Sequence, residues 1–184
     1  MIKPFDLRFC ALARGRWTRV GTVAAGCALL GACGFLRPSE LQADADLLPT
    51  RGSHASGTMS FVQRADGVQV TYDLYGLAPG SLHALHVHEQ GNCDARDASS
   101  AGPIFNPDVG RLKRGAPADG VLGQVRADSN GNASGFIVAP QLSLDGVDSA
   151  VGRAVLLHRD ADRDDTAPDR GAGPALACGV LHSP

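Results

Sequence analysis

From Val68 to Leu74 the chain alternates: Val68, Val70, Tyr72 and Leu74 occupy every second position, with Gln69, Thr71 and Asp73 between them. Successive side chains of a strand point to opposite faces, so this pattern predicts a strand with one buried and one wet face. Met59 and Phe61 repeat the alternation just upstream, and the start of DGVQV supplies the turn between the two runs. Short runs of the same kind recur at 83–88, 123–127, 133–138 and 151–158. They are separated by LAPGS, DSNGN, LDGVDS and DRDDTAPDRGAGP, clusters of residues that favour turns. No stretch keeps a helical period for three turns. The expected fold is all-β, an antiparallel sandwich or barrel with two long irregular loops at 89–120 and 159–177. Loops that long in a compact domain are more often functional than idle.

The N-terminal pattern is different. Arg14, Arg16 and Arg19 lead into VGTVAAGCALLGAC, an apolar run of about a dozen residues that is too short to span a bilayer and suits a signal h-region. It closes on Leu30-Gly31-Ala32-Cys33, which resembles the bacterial lipoprotein box, where the cysteine is diacylated and becomes the new N-terminus. The alternative is an ordinary signal peptide cut at a small residue. Gly34 follows the cysteine where an aspartate would retain such a protein at the inner membrane, so the expected location is the outer membrane, facing the periplasm. On this reading residues 1–32 are a lipoprotein signal peptide. Residues 33–54, mixing Pro, Ser, Asp and Ala without sustained periodicity, are a lipidated tether. Residues 55–184 are the folded domain, long enough for a single core.

Cleavage changes both charge and cysteine content. Residues 33–184 carry 12 Lys and Arg against 18 Asp and Glu, a net charge of −6 where the whole chain has −2. That balance excludes nucleic acid as a partner, because phosphate binding relies on clustered positive charge; the membrane is met through the lipid alone. Cys10 and Cys27 leave with the signal and Cys33 takes the lipid, leaving Cys93 and Cys178. Two thiols in an oxidising compartment read as one structural disulfide, the alternative being a pair of unbridged buried thiols. Closing a loop of about 85 residues is worth roughly 4 to 5 kcal/mol in the chain-entropy model.

The candidate chemistry lies in HALHVHEQGNC, residues 83–93. On a strand His86 and His88 point the same way, a few ångströms apart, while Leu85 and Val87 face the core, so His-x-His is a ready bidentate chelate. His83 shares the core face and is expected to be a buried, hydrogen-bonded structural residue. A third imidazole ends a distant strand at His158, in VGRAVLLHRDADRDD. Asp160, Asp162, Asp164 or Asp165 in the following acidic loop would orient the rings through their second nitrogens, as ligating histidines require. Imidazole suits copper, zinc, iron and nickel alike, so the three rings alone do not choose the metal.

The order of these features resembles the copper/zinc superoxide dismutases. GLAPGSLHALHVHEQGNC, SAGPIFNP, VLGQVRADSNGNA, VGRAVLLHRDADRDD and GPALACGV follow the family's order and spacing over roughly residues 56–181. The resemblance implies a Greek-key β-barrel, copper held by His86, His88 and His158, a Cys93–Cys178 disulfide, and a structural role for His83. It also exposes departures. The histidine that bridges copper and zinc in the family is Ile104 here, and the remaining zinc-ligand positions are Arg114, Ala118 and Val121. A cation at Arg114 would repel a dication, so zinc is not expected. The arginine that orients superoxide in the family falls on Ala175, so no catalytic residue is carried over at that position. Arg111, Lys113 and Arg114 are candidates for restoring some positive potential, and His54 and His182 for a fourth ligand.

Two functions are consistent with this inventory. One is a zinc-free, copper-only superoxide dismutase outside the cytoplasm, with superoxide as substrate. The other is a non-catalytic copper-binding lipoprotein that sequesters or delivers one copper ion on a dismutase-like fold.

Overall fold

The computed structural model describes residues 40–107, 118–162 and 172–184. Among those residues, eight strands account for almost all of the regular structure: β1 (Gln42–Pro49), β2 (Ser56–Arg64), β3 (Gly67–Tyr75), β4 (Leu82–His88), β5 (Val121–Arg126), β6 (Ala133–Ala139), β7 (Ala154–His158) and β8 (Ala175–Val180), with a 3-10 turn at Ser99–Ala101. They form one antiparallel sheet in the order β5-β4-β7-β8-β1-β2-β3-β6. The two edge strands approach each other without a ladder between them, which makes a nearly closed barrel. β3 lies beside β6, and β4 beside β7, although neither pair is consecutive in the chain; these are Greek-key connections.

The alternation in the sequence is realised strand by strand. In β3, Val68, Val70 and Leu74 are fully buried while Thr71 and Asp73 are exposed. Phe61 and Met59 of β2 pair with Val70 and Tyr72 of β3 and close over the same core. The β2–β3 hairpin turns at Ala65 and Asp66, and Gly67 enters β3 at φ 131 beside the Ala139 carbonyl, where no larger residue would fit.

Three boundaries differ from expectation. Residues 42–49, expected in the tether, are β1, which pairs with β2 along its length and with β8 at Leu48 and Pro49. Ala43, Ala45 and Leu47 alternate into the core and are at most 1 % exposed. Two of those inward positions are alanines, which carry little hydropathy signal, so the period-two pattern was masked by the aspartates between them. The folded unit therefore includes residues 42–54, which were expected in the tether. The loop expected at 159–177 stops at Pro174, because β8 begins at Ala175 to pair with His158. The expected strand at 151–158 is shorter, with residues 151–153 forming a turn before Ala154.

Cys93 and Cys178 are joined as a disulfide, with Cα atoms 5.9 Å apart. It ties the loop that leaves β4 to the middle of β8. No helix among the described residues is long and apolar enough to cross a membrane. Residues 1–32, Cys33, Arg111, Lys113, Arg114, Asp164 and Asp165 lie outside the described residues.

Candidate metal centre

The sheet has two faces at β4 and β7. Leu85, Val87, Val155 and Leu157 point into the main barrel core. His86 and His88 point the other way, and β4 pairs with β7 so that His86 lies opposite Leu156 and His88 opposite Ala154. Residues directly opposite share a face, and His158 has the parity of Ala154 and Leu156, so its ring emerges on the side of His86 and His88. This outer face is roofed by the loop after β4. Ala98, Ala101, Ala154, Leu156 and Cys178 form a second, smaller apolar cluster there, with Cys93 packed against it.

The three rings are brought together as the sequence anticipates. Their centroids are 4.8 Å apart for His86 and His158, 5.6 Å for His88 and His158 and 6.3 Å for His86 and His88. All three are buried, His86 completely. They are the one cluster of potential ligands among the described residues, with one nitrogen from each lying within 4.8 Å of the others. Donors that share one first-row ion at about 2.0–2.1 Å can be at most about 4.2 Å apart, so a small contraction would seat a metal.

Hydrogen bonding fixes which nitrogens those are. His88 Nδ1–H donates to the Gly102 carbonyl at 2.7 Å, and His158 Nδ1–H donates to the Gly173 carbonyl at 3.1 Å. Each ring therefore keeps a lone pair on Nε2, and these two nitrogens face each other at 3.4 Å. Two acceptors facing each other are not a hydrogen bond; the arrangement calls for a cation between them. His86 is turned round: its Nε2–H donates to the Asp162 carboxylate, 3.0 and 3.1 Å from the two oxygens. Its Nδ1 is buried without a partner. An orphaned buried acceptor of this kind is costly unless something occupies it. The donor set is thus His86 Nδ1, His88 Nε2 and His158 Nε2, each ring oriented through its other nitrogen.

The electrostatics suit neutral ligands. Burial pushes the His158 pKa down to about 4, helped by the neighbouring His86 ring and opposed by the Gly173 carbonyl and Asp162. Burial also lowers His88, with the Gly102 carbonyl opposing it and His86 adding to it. Both rings therefore present unprotonated nitrogen at neutral pH, the form a metal requires.

His83 sits on the opposite face, 2 % exposed. Its Nδ1 faces the backbone carbonyl of His158 at 2.9 Å, and its Nε2 lies 2.6 Å from Ser81 Oγ. It braces the strand that carries a ligand without approaching the site. Of the four aspartates expected behind the ligands, Asp162 takes that position, and Asp164 and Asp165 lie outside the described residues. Asp160 is directed to its neighbour Arg159, at 2.9 and 3.1 Å, on a largely exposed surface. The loop turns between them, so two residues of identical chemistry meet different surroundings. His54 and His182 do not join the cluster; both are exposed, and the His182 backbone pairs with Asp44 at the end of β1.

The rings line a cavity of about 80 Å³ whose other walls are Gly102, Pro103, Ile104, Ala172 and Gly173. Ile104 bridges His88 in the backbone and is 7 % exposed. Val121 opens β5 opposite His86, and Ala118 precedes it; neither side chain has a donor atom. Ala175, opposite His158, brings no charge. A larger open cleft of about 420 Å³ lies beside the disulfide, between Thr50, Arg51, Asp94 and Arg96. Its size does not make it the chemical site, because none of the clustered ligands lines it.

Comparison with known proteins agrees with this geometry. The family model described as copper/zinc superoxide dismutase (SODC) matches residues 55–181. The superoxide dismutase [Cu-Zn] of Yarrowia lipolytica is 39 % identical over 142 residues, covering 70 % of this chain and 90 % of that protein. The superoxide dismutase [Cu-Zn] of Cordyceps militaris is 34 % identical over 139 residues, covering 68 % and 88 %.

Proposed function

The chain belongs to the copper/zinc superoxide dismutase family, and on that premise we propose that it is a copper-only member, a lipid-anchored protein outside the cytoplasm that removes superoxide at His86, His88 and His158. The reading is carried by the convergence of three lone pairs, His86 Nδ1, His88 Nε2 and His158 Nε2, on one cavity. Bound copper would supply one-electron chemistry there, converting two superoxide ions and two protons to dioxygen and hydrogen peroxide.

The chain's own residues set the terms of that reaction. Asp162 holds His86 in the tautomer that leaves Nδ1 free. The Gly102 and Gly173 carbonyls do the same for the other two rings. Ile104, Ala118 and Val121 offer no donor and Arg114 offers a cation, which supports a site without zinc. The described wall has no acid to deliver protons and no guanidinium to draw an anion in, since Ala175 is uncharged. Those losses favour a second reading, a copper-binding protein that sequesters or delivers the ion with little turnover.

The two are separated by loading the purified full-length protein with Cu(II) and measuring metal content and superoxide loss beside a His86→Ala control. One copper per chain, no zinc and a rate well above the control supports the dismutase. One tightly held copper with a rate equal to the control selects the binding role, and no stoichiometric copper removes both. Lipid anchoring at Cys33 is supported by the Leu30-Gly31-Ala32-Cys33 run. In the same preparations, Cys33→Ala should move the protein from the membrane pellet to the soluble fraction.

A further inference from the structure

We propose that Ile104 makes this centre selective for reduced copper, so that it holds Cu(I) more tightly than Cu(II). The proposal rests on the copper reading above and concerns which oxidation state the three-nitrogen site prefers.

Cu(I), with a filled d shell, is content with few soft or imidazole donors; Cu(II) prefers tetragonal surroundings with four or more N or O ligands. The site supplies three nitrogens, and the ligand cluster among the described residues ends with them. Ile104, which stands where the family resemblance puts a fourth imidazole, lines the same cavity as the three rings and has no donor atom.

That side chain is held in place. The Ile104 backbone bridges His88, the Phe105 N–H donates to the Val87 carbonyl at 2.9 Å, and the Glu89 N–H donates to the Pro103 carbonyl at 2.9 Å. Ile104 Cγ2 lies toward Gly120, where any side chain would crowd it. Next to it, the Arg153 guanidinium lies 3.7 Å from the centre of the Phe105 ring and donates to the Glu89 carbonyl at 3.0 Å, pinning the segment from both sides.

Water is a poor substitute for the missing ligand. A cavity of about 80 Å³ has room for it. An ordered water also needs two to four polar partners, however, and beyond the rings the walls are glycine, proline, isoleucine and alanine. The Gly102 and Gly173 carbonyls already accept from His88 and His158. One effect opposes the proposal: the Asp162 carboxylate makes His86 more basic and favours the higher charge. It acts through one ring at its far nitrogen, whereas with Ile104 in the wall Cu(II) is a whole ligand short among the described residues, so the second effect dominates.

The test is a pair of competition titrations on the full-length protein in detergent, with bicinchoninate against Cu(I) under anaerobic ascorbate and nitrilotriacetate against Cu(II). Ile104→His places a fourth imidazole in the same wall at similar volume. It should raise Cu(II) affinity at least about tenfold while Cu(I) affinity moves less than about threefold. Ile104→Val should leave the ratio of the two affinities unchanged. If Ile104→His does not fold, Ile104→Ala, which opens the wall to water, should shift the ratio in the same direction by less. A ratio identical in the wild type and in every folded one of these variants overturns the role of Ile104, and so does a wild type that prefers Cu(II). A wild type that takes up neither ion overturns the copper reading on which the inference rests.

Discussion

The two faces of β4 and β7 are made from the same backbone and held to opposite standards. On the inner face Leu85, Val87, Val155 and Leu157 need only be apolar and of suitable size, because dispersion and water exclusion have no required direction. On the outer face each ring is oriented by a hydrogen bond from one nitrogen, and rotation of one ring would exchange a ligand nitrogen for an N–H. The inner face therefore governs whether the chain folds, and the outer face governs what the folded chain can hold. The disulfide joins the two concerns, since it fastens the roof of the outer face to β8, a strand whose Ala177 packs in the main core.

Breaking the inner face should produce the largest effect. Leu85→Ala deletes a fully buried side chain next to the ligand His86 and should cost roughly 2–5 kcal/mol of unfolding free energy. Copper stoichiometry of the folded fraction should stay at one. Urea denaturation read beside metal content checks both, and loss of copper from protein that is still folded would show that the faces are not separable.

Acid should weaken the outer face while leaving the inner one untouched. His158 has its pKa lowered to about 4 in the native state against 6.5 in the unfolded chain. Between those values the unfolded chain takes up a proton that the native ring refuses, so the unfolded state gains and stability falls as pH falls from 6.5 to about 4. His88 acts in the same direction. Metal-free protein should therefore lose a few kcal/mol over that window, seen as a falling Tm, with the slope reduced in His158→Gln. A flat Tm over the window would mean that the rings are already charged in the native protein.

The smallest effect sharpens the comparison most. Asp162→Asn keeps the shape of the side chain that orients His86 but removes its charge and lets the amide present the wrong group to Nε2–H. Copper affinity should drop about 10- to 100-fold with unfolding free energy nearly unchanged. Asp160→Asn, two residues away and paired with Arg159, should leave copper affinity as it is. Equal effects from the two would place the orientation of His86 elsewhere.

Much of this was legible in the chain before it was folded. Alternation placed β2, β3, β4 and β6 and sent His86 and His88 to one face with His83 to the other. The end of a distant strand offered His158 and the cysteine count offered Cys93 with Cys178, and the family resemblance assigned the three rings to copper. What escaped was written in weak signals: β1 hides its inward positions in alanines, and Asp160 and Asp162 are chemically identical until a turn separates them.

A strand's alternation is a local property, fixed by backbone geometry, so the sequence by itself determined the fold class, the polarity of each face and the loss of donors at Ile104, Ala118 and Val121. The tertiary structure alone decided which nitrogen of each ring is free, because the Gly102 and Gly173 carbonyls and the Asp162 carboxylate that make that choice reach the rings from loops 14, 15 and 76 residues away along the chain.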